Sequence, residues 1–326
     1  MAKRITAFVL ALVLLALLVL LAGYLLMPPQ NEFGCAWNGY LAEPRDSLDV
    51  LFFGSSISYC DAAPGWLWDQ RGIRSFNMGG PEQTVPLTYF YVREALRTQS
   101  PRVAVIEATG MFFNKYQDFT KVNVGYMPPS VNRLRAVFEA SEPSARAGLL
   151  LPVLEYHGRW REVTAEDIRA RLTRSRDVTA GHTALSDSSG APEISERPIT
   201  QEAEVYAENL AYMRKISEYC AENGAEIFVF IAPTRMPLPD AERERLRTDL
   251  AELGIELHDM TEDADSLGID PEADWYDAIH LNEYGAEKFS RALADILAEE
   301  YGLADGGEDA YWDERTQYLL AACGHE

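Results

Sequence analysis

The sequence predicts an α/β protein in which helices cover both faces of a parallel sheet, preceded by one membrane-spanning helix. Short apolar runs alternate with longer helical segments, the pattern of a parallel sheet. The runs are residues 48–53, 74–77, 103–107, 227–231 and 255–257. The predicted helices between and after them are 84–97, 202–223, 240–253 and 283–300. The 326-residue chain is long enough for one large α/β domain beside the membrane segment.

The membrane segment is predicted from residues 5–27, which carry no charge and match the thickness of a bilayer's hydrocarbon core. Lys3 and Arg4 precede it, so the positive-inside rule leaves the N-terminus inside and the rest of the chain outside. A cleaved signal peptide is the alternative, but the apolar run continues past Tyr24 without a small-x-small cleavage site. We expect a single-pass anchor over 1–27. Either alternative makes the remaining chain extracytoplasmic.

Four further regions follow the anchor. Residues 28–45 are predicted to be a linker, 46–302 the main domain and 303–326 an acidic tail with a short docked helix. Residues 115–200 interrupt the strand–helix alternation and are predicted to be an insertion over the edge of the cleft. Because its 186–198 part is too polar to bury, we expect the insertion to contribute little to the core.

Composition excludes some functions. The net charge is −22, from 51 acidic and 29 basic residues, which argues against nucleic acid as a partner. No C-x-x-C pair occurs, which argues against a zinc ribbon or a thioredoxin-like site. Cys60 and Cys220 fall in predicted core elements and are expected to be buried free thiols, while the pairing of Cys35 and Cys323 stays open.

One serine has the setting of a nucleophile. A serine hydroxyl reacts at neutral pH only when a base takes its proton and a third group orients that base. Ser56 follows a buried strand and Gly54, which permits a sharp turn there. Its own N–H would then be free to face an oxyanion. The alternative is a structural serine at the start of a helix, a place that Ser55 or Ser58 would fill as well.

The matching base is His280, three residues after Asp277 and directly before the last predicted helix. One turn of chain brings such a carboxylate to the imidazole. The alternative is a helix-entry histidine held by a backbone carbonyl. His258, at the end of a short strand beside Asp259, is expected to be packed or on the surface. Ser56 and His280 lie at opposite ends of one predicted α/β domain, in the order that a serine triad of this kind needs, and each lies at a strand-to-helix junction.

Three segments resemble the SGNH (GDSL-type) hydrolases. Residues 53–56 (Phe-Gly-Ser-Ser) are similar to the first motif block of that family, 77–80 (Asn-Met-Gly-Gly) to the second and 277–280 (Asp-Ala-Ile-His) to the last. The resemblance implies a flavodoxin-like three-layer α/β/α fold. It also implies acyl-ester chemistry by a Ser56–His280–Asp277 triad, without metal or cofactor.

The sequence departs from the family pattern in two blocks. Ser55 replaces the usual acid before the nucleophile, a form similar to the membrane-anchored branch of teichoic-acid D-alanylation and polysaccharide O-acetylation. The third block, Gly-x-Asn, has no match, and Asn114 is the nearest asparagine. The expected oxyanion donors are therefore the backbone of Ser56, the backbone of Gly79 or Gly80, and the side chain of Asn114.

The function expected from these residues is an extracytoplasmic serine acyl-ester hydrolase or O-acyltransferase acting on a cell-surface glycan or wall polymer. A multi-spanning membrane acyltransferase is an expected partner, because such proteins accompany the branch that the motifs resemble. Two alternatives remain open: a lipid or small-ester esterase, and a catalytically inactive scaffold in a membrane acylation complex.

Overall fold

The computed structural model describes residues 1–29, 37–303 and 306–323. Five strands form one sheet in the order β2-β1-β3-β4-β5, and every neighbouring pair is parallel. In chain order the strands are Val50–Phe53 (β1), Ser75–Asn77 (β2), Val103–Glu107 (β3), Glu226–Ile231 (β4) and Leu257–Asp259 (β5). This is the flavodoxin-like strand order, and it confirms the predicted fold class.

Helices surround the sheet. They are Ala2–Leu26 (α1), Trp37–Tyr40 (α2), Ser56–Asp61 (α3), Pro64–Arg71 (α4), Val85–Ala95 (α5), Thr120–Gly125 (α6), Val131–Glu139 (α7), Arg146–Leu150 (α8), Val153–Tyr156 (α9), Ala165–Leu172 (α10), Ala203–Glu222 (α11), Asp240–Glu252 (α12), Glu283–Tyr301 (α13) and Ala310–Ala322 (α14). Two 3-10 turns cover Thr109–Phe112 and His157–Arg161.

The two faces of the sheet carry separate apolar cores, because successive side chains of a strand point to opposite faces. Leu51 and Phe53 of β1 pack with α5, α7 and α11, whereas Val50 and Phe52 pack with α13. All four side chains are completely buried, as expected for the inner strand of a parallel sheet covered on both faces.

The fifth strand begins two residues later than the sequence predicts. Residues 255–257 were expected, and Leu257–Asp259 is observed. The backbone N–H of Ile255 donates to the carbonyl of Leu250, 3.0 Å away, and so closes the end of α12 instead of joining the sheet.

The first helix, α1, is the only described helix that is long and apolar enough to cross a membrane, with a mean hydropathy of 3.2 over its most apolar window. Residues 1–18 pack against nothing, whereas the end of the helix near Gly23 is buried on the domain.

The insertion corrects the expectation that residues 115–200 add little to the core. Its first half is helical, and Val124, Ala136 and Val137 are completely buried in the core beside α5. The larger apolar side chains of α7 that recur at helical spacing are exposed, whereas Ala136 and Val137 are buried, so the sequence pattern did not indicate which face of the helix packs. The polar part of the insertion, 186–198, has no regular secondary structure, and it runs along the carboxyl edge of the sheet.

The ranges expected to be a linker and a tail also pack. Trp37 and Tyr40 of the 28–45 range are buried, and residues 30–36, including Cys35, lie outside the described residues. Helix α14 packs against α4, and Arg315 makes a buried ion pair with Glu43, 2.5 Å apart. The three described cysteines, Cys60, Cys220 and Cys323, are free and buried.

Candidate active site

The turn after β1 presents Ser56 to solvent. The strand ends at Phe53, and Gly54 has a φ of 142°, which favours glycine. Ser56 is the first residue of α3. Between residues 50 and 68 it is the one side chain that is not buried. The core therefore surrounds every side chain of residues 50–68 except that of Ser56, whose hydroxyl could react.

A buried carboxylate holds this turn from below. Glu107, at the end of β3, accepts hydrogen bonds from the Ser55 hydroxyl at 2.8 Å and from the backbone N–H of Thr109 at 2.6 Å. A Cβ on Gly54 would lie 2.6 Å from the Cβ of Glu107, so no larger residue fits. The two adjacent serines thus differ: Ser55 binds inward to Glu107, and Ser56 points outward.

The candidate base, His280, lies on a loop whose two ends are paired with each other. Trp275 and Leu281 form an isolated antiparallel bridge, and Asp277 stands inside the loop between them. Oδ1 of Asp277 accepts from the backbone N–H of Ile279 at 2.7 Å and of His280 at 2.8 Å. These two hydrogen bonds fold residues 277–280 into a compact turn, which brings the carboxylate to the imidazole.

A hydrogen-bond relay joins the two segments. Nδ1 of His280 lies 3.0 Å from Oδ2 of Asp277, and Nε2 lies 2.7 Å from Oγ of Ser56. Because a carboxylate only accepts, Nδ1 carries the proton and Nε2 can accept from the serine hydroxyl. The structure thus brings together the three residues that the sequence singled out.

Asp277 stays ionised in this arrangement. Burial alone would raise the pKa of its carboxyl, but the hydrogen bond and charge of His280 and the two backbone N–H donors outweigh burial and lower the pKa to about 2. The carboxylate can therefore stabilise an imidazolium at any pH in the neutral range.

A second contact couples the two segments. Asp61 ends α3 and is completely buried, and its Oδ1 accepts from the backbone N–H of Leu281 at 3.0 Å. Burial, together with the nearby charges of Glu107 and Asp277, raises the pKa of Asp61 well above its ordinary value, although the Leu281 bond opposes the rise. The helix that begins with Ser56 thus ends at Asp61, which is hydrogen-bonded to the residue after His280.

The expected oxyanion donors fare unequally. The backbone N–H of Ser56 heads α3, where no intrahelical acceptor exists. The N–H of Gly79 donates to Oδ1 of Asn77, and that of Gly80 donates to the carbonyl of Gly54, both at 3.0 Å. Those two amides are thus hydrogen-bonded within the β2 turn and to the turn that carries Ser56. Their oxyanion role stays a prediction.

The asparagine beside this turn is Asn123 rather than Asn114. The side chain of Asn123 is buried directly against Gly80 and donates to the carbonyl of Pro81 at 2.8 Å, whereas Asn114 is exposed. Sequence distance from the third strand favoured Asn114. Asn123 gave no signal, because its helix lies within the insertion.

Two other histidines, His258 and His182, have structural settings. His258 stacks on Phe228, with ring centroids 4.0 Å apart, on the far strand of the sheet. His182 is buried, which lowers its pKa to about 4, and its Nδ1 lies 2.9 Å from the carbonyl of Tyr59. The structural roles of Glu107 and Asp61 were missed by the sequence reasoning, although an acid at the end of an otherwise apolar strand, as Glu107 is, is a usable signal.

The polar part of the insertion lines the base loop. The backbone N–H of Ser189 donates to the carbonyl of Trp275, and that of Glu283 donates to the carbonyl of Leu185. The loop after β4 supports the same region, since the N–H of Arg235 donates to the carbonyl of Ala278 at 3.0 Å. A cavity of about 870 Å³ lies elsewhere, between α1 and the insertion, with Tyr24, Leu134 and Leu172 among its lining residues.

Comparisons with known proteins add a weak likeness. No protein-family model and no curated protein matches the sequence. Among solved structures the chain is similar to a "putative acylhydrolase" from Bacteroides fragilis, with 12% identity and a TM-score of 0.38. The match covers 81% of this chain and 94% of that one. At this similarity it carries no argument, so function must be argued from the site.

Proposed function

We propose that the protein is a membrane-anchored serine acyl-ester hydrolase or O-acyltransferase whose catalytic residues are Ser56, His280 and Asp277. The single observation that carries the proposal is the relay: a partly exposed serine Oγ 2.7 Å from an imidazole that an ionised carboxylate orients. That geometry meets the requirements of nucleophile, base and orienting group together.

The proposed reaction has two steps. His280 Nε2 takes the proton of Ser56 as Oγ bonds to the ester carbonyl carbon, and the carbonyl oxygen becomes an oxyanion facing the Ser56 N–H. The carbon–oxygen bond to the leaving alcohol then breaks, and His280 returns the proton to that alcohol. In the second step water or a sugar hydroxyl gives its proton to His280 and attacks the acyl carbon. The bond from that carbon to Oγ then breaks, and His280 returns the proton to Ser56.

The proposed substrate is an acyl ester on a cell-surface glycan or wall polymer. Two features support this choice: the Gly-Ser-Ser form of the first motif, and a helix that would hold the domain at the cell surface. A multi-spanning acyltransferase that delivers the acyl group would make the second step a transfer rather than hydrolysis.

The nucleophile is tested by labelling the full chain with a fluorophosphonate and locating the adduct by mass spectrometry. We expect the adduct on Ser56 and none in Ser56→Ala. Ser58→Ala is the matched control, because Ser58 is buried two residues away and its hydroxyl donates to Asn77. An unlabelled wild-type chain, or label on another serine, would contradict the proposal and favour the scaffold alternative.

The chemistry of the second step is tested separately. Turnover of an aryl acetate by the purified chain, with and without an oligosaccharide acceptor, distinguishes hydrolysis from transfer. We expect acetylated oligosaccharide to appear at the expense of free acetate. Rapid release of acetate from small or lipid esters, unaffected by the acceptor, would favour the esterase alternative.

The proposed location is the cell membrane, with the domain outside. The supporting observation is that residues 1–18 are all exposed and that 7–18 of them are wholly apolar. Protease added to intact cells should digest the domain, and complete protection would refute the orientation.

A further inference from the structure

Exposed apolar side chains concentrate in one part of the folded domain. Among the described residues after α1, eight of the twelve exposed large hydrophobic side chains fall between residues 131 and 172. Five of them lie on or beside α9, the following 3-10 turn and α10: Leu151, Leu154, Trp160, Ile168 and Leu172. We call these five the interfacial surface. Soluble surfaces scatter such side chains singly, so a concentration marks a contact.

The interfacial surface adjoins the end of α1. Helices α9 and α10 and the 3-10 turn all pack against α1. A Cβ on Gly23 would lie 2.7 Å from the backbone nitrogen of Val153, so the two backbones touch there. The guanidinium of Arg159 donates to the carbonyl of Leu26 at 2.7 Å, and the hydroxyl of Tyr24 donates to the carbonyl of Arg171 at 2.9 Å.

The length of α1 sets the depth of this contact. A helix crosses the hydrocarbon core of a bilayer in about 20 residues. A span that starts at Ile5, after Lys3 and Arg4, therefore ends close to Tyr24. Because Gly23 touches Val153, α9 lies at the level where hydrocarbon gives way to lipid headgroups.

The chemistry of the segment suits that level. Residues 151–176 hold six arginines and four carboxylates, a net charge of +2 in a chain whose net charge is −22. The guanidinium of Arg161 lies 4.6 Å from the ring centroid of Trp160, and that indole is 64% exposed. Exposed Trp and Leu bordered by Arg are typical of elements that lie in the headgroup region of an anionic membrane.

We propose that the interfacial surface lies in the headgroup and upper acyl region of the bilayer, beside the end of α1. The proposal rests on the membrane anchoring proposed above and adds a second, orienting contact. A lipid surface is favoured over a protein partner because the apolar side chains continue directly from the membrane-spanning helix and carry a cationic border.

The contact would fix the direction in which the active site faces. From Leu172 the chain runs to Ala180, whose carbonyl accepts from the N–H of Asn77, and to Thr183, whose N–H donates to the carbonyl of Tyr59 in α3. The insertion thus links the interfacial surface to the helix that begins with Ser56. An anchor alone would leave the domain free to rotate, whereas two contacts hold it.

The experiment uses the fluorescence of Trp160. The chain has six tryptophans, and the other five are each no more than 6% exposed. The full chain is reconstituted in phosphatidylcholine–phosphatidylglycerol vesicles, with or without bromine on the upper acyl chain. The Trp160 signal is the difference between wild type and Trp160→Phe. We expect bromolipid to quench more than half of it, and aqueous iodide to quench it several-fold less than an indole in water.

A matched control places an indole elsewhere on the same anchored chain. Ala251→Trp in the Trp160→Phe background adds an exposed tryptophan on α12, at the other edge of the sheet. It should be open to iodide and unaffected by bromolipid. Replacing two further members of the surface, Leu154→Glu with Leu172→Glu, should open Trp160 to iodide while the chain stays folded.

Suppose that alkaline carbonate does not extract the chain and that iodide quenches Trp160 as strongly as the control tryptophan. That result would refute the membrane contact of the interfacial surface and leave the proposed anchor intact. Shielding that appears only with a second membrane protein would overturn it in favour of a protein interface. If alkaline carbonate extracts the chain, the proposed anchor is refuted instead. Quenching of Trp160 by bromolipid in the vesicle-bound fraction would then still support the membrane contact of the interfacial surface.

Discussion

The two segments that meet at the Ser56–His280 hydrogen bond are built in opposite ways. The nucleophile segment, residues 54–61, is buried except for Ser56 and is held by Glu107 and the sheet. The base segment, residues 275–281, is mostly half-buried and is held chiefly by hydrogen bonds to Asp277 within the loop. The core therefore positions the proposed nucleophile, whereas mainly a local turn positions the proposed base. A substitution in the nucleophile segment should therefore lower both stability and activity, whereas one in the base segment should lower activity with little change in stability.

The largest expected effect is loss of the reacting groups. Ser56→Ala and His280→Ala should each lower kcat for an aryl acetate by roughly 10⁶-fold, and the double variant should be barely worse, because the residues act as a unit. Both side chains are partly exposed, so thermal melting should hardly change. His258→Ala is the control and should keep near-normal activity. Activity that survives in Ser56→Ala but not in the control would refute the assignment.

The second effect is confined to the base segment. Asp277→Asn keeps both backbone hydrogen bonds but loses the charge that stabilises the imidazolium, so kcat should fall by as much as roughly 10⁴-fold with the fold intact. A kcat within tenfold of wild type would show that Asp277 does not orient the base.

The same substitution should show a pH dependence of stability. The pKa of Asp277 is about 2 in the folded protein and about 3.9 in an unfolded chain, so its stabilisation is complete above the unfolded value and is lost as pH falls through 2. Allowing for solvent screening of a half-exposed group, the difference from Asp277→Asn should be about 1 kcal/mol near pH 6. Melting at successive pH values should show the difference closing between pH 4 and 2; a constant difference would contradict the assignment.

The third effect tests the rigidity of the nucleophile segment. Gly54→Ala meets a φ of 142° and the Cβ of Glu107, and should cost roughly 3 kcal/mol together with most activity. Gly254→Ala is the comparison variant, because its φ of 72° lies in the left-handed helical region, which an alanine adopts at modest cost, and its Cβ would meet open space. It should cost only about 1 kcal/mol and leave activity unchanged. If Gly54→Ala lost no more stability than Gly254→Ala in denaturant unfolding, neither the φ of 142° nor the contact with Glu107 would restrict the residue at position 54.

The smallest effect concerns the link between the segments. Asp61→Asn keeps the oxygen that accepts from Leu281 and removes a carboxyl whose raised pKa makes its charged form unfavourable. Stability near pH 7 should be equal or slightly higher, with kcat within a few-fold. Asp61→Ala leaves the Leu281 N–H unpaired, and should cost about 1–3 kcal/mol and lower kcat more than it changes KM. If both variants behave alike, Asp61 does not position His280.

The sequence by itself determined the sheet and the site's three main residues. The strands were visible because buried strands are continuous apolar runs, and Asp277 and His280 because their contact is made within one turn of chain. The long apolar helix α1 was visible for the same reason, since length and apolarity are properties of one segment.

Contacts between distant segments were decided only by the tertiary structure. Glu107 beneath Ser55, Asp61 against Leu281, and Gly79 and Gly80 engaged by Asn77 and Gly54 all depend on which strands become neighbours. The same holds for the insertion, whose helices pack on α5 and α1 although many of its larger apolar side chains stay exposed. The periodicity of a sequence indicates the face on which a side chain lies, but the residues that this side chain contacts are determined only when the chain is folded.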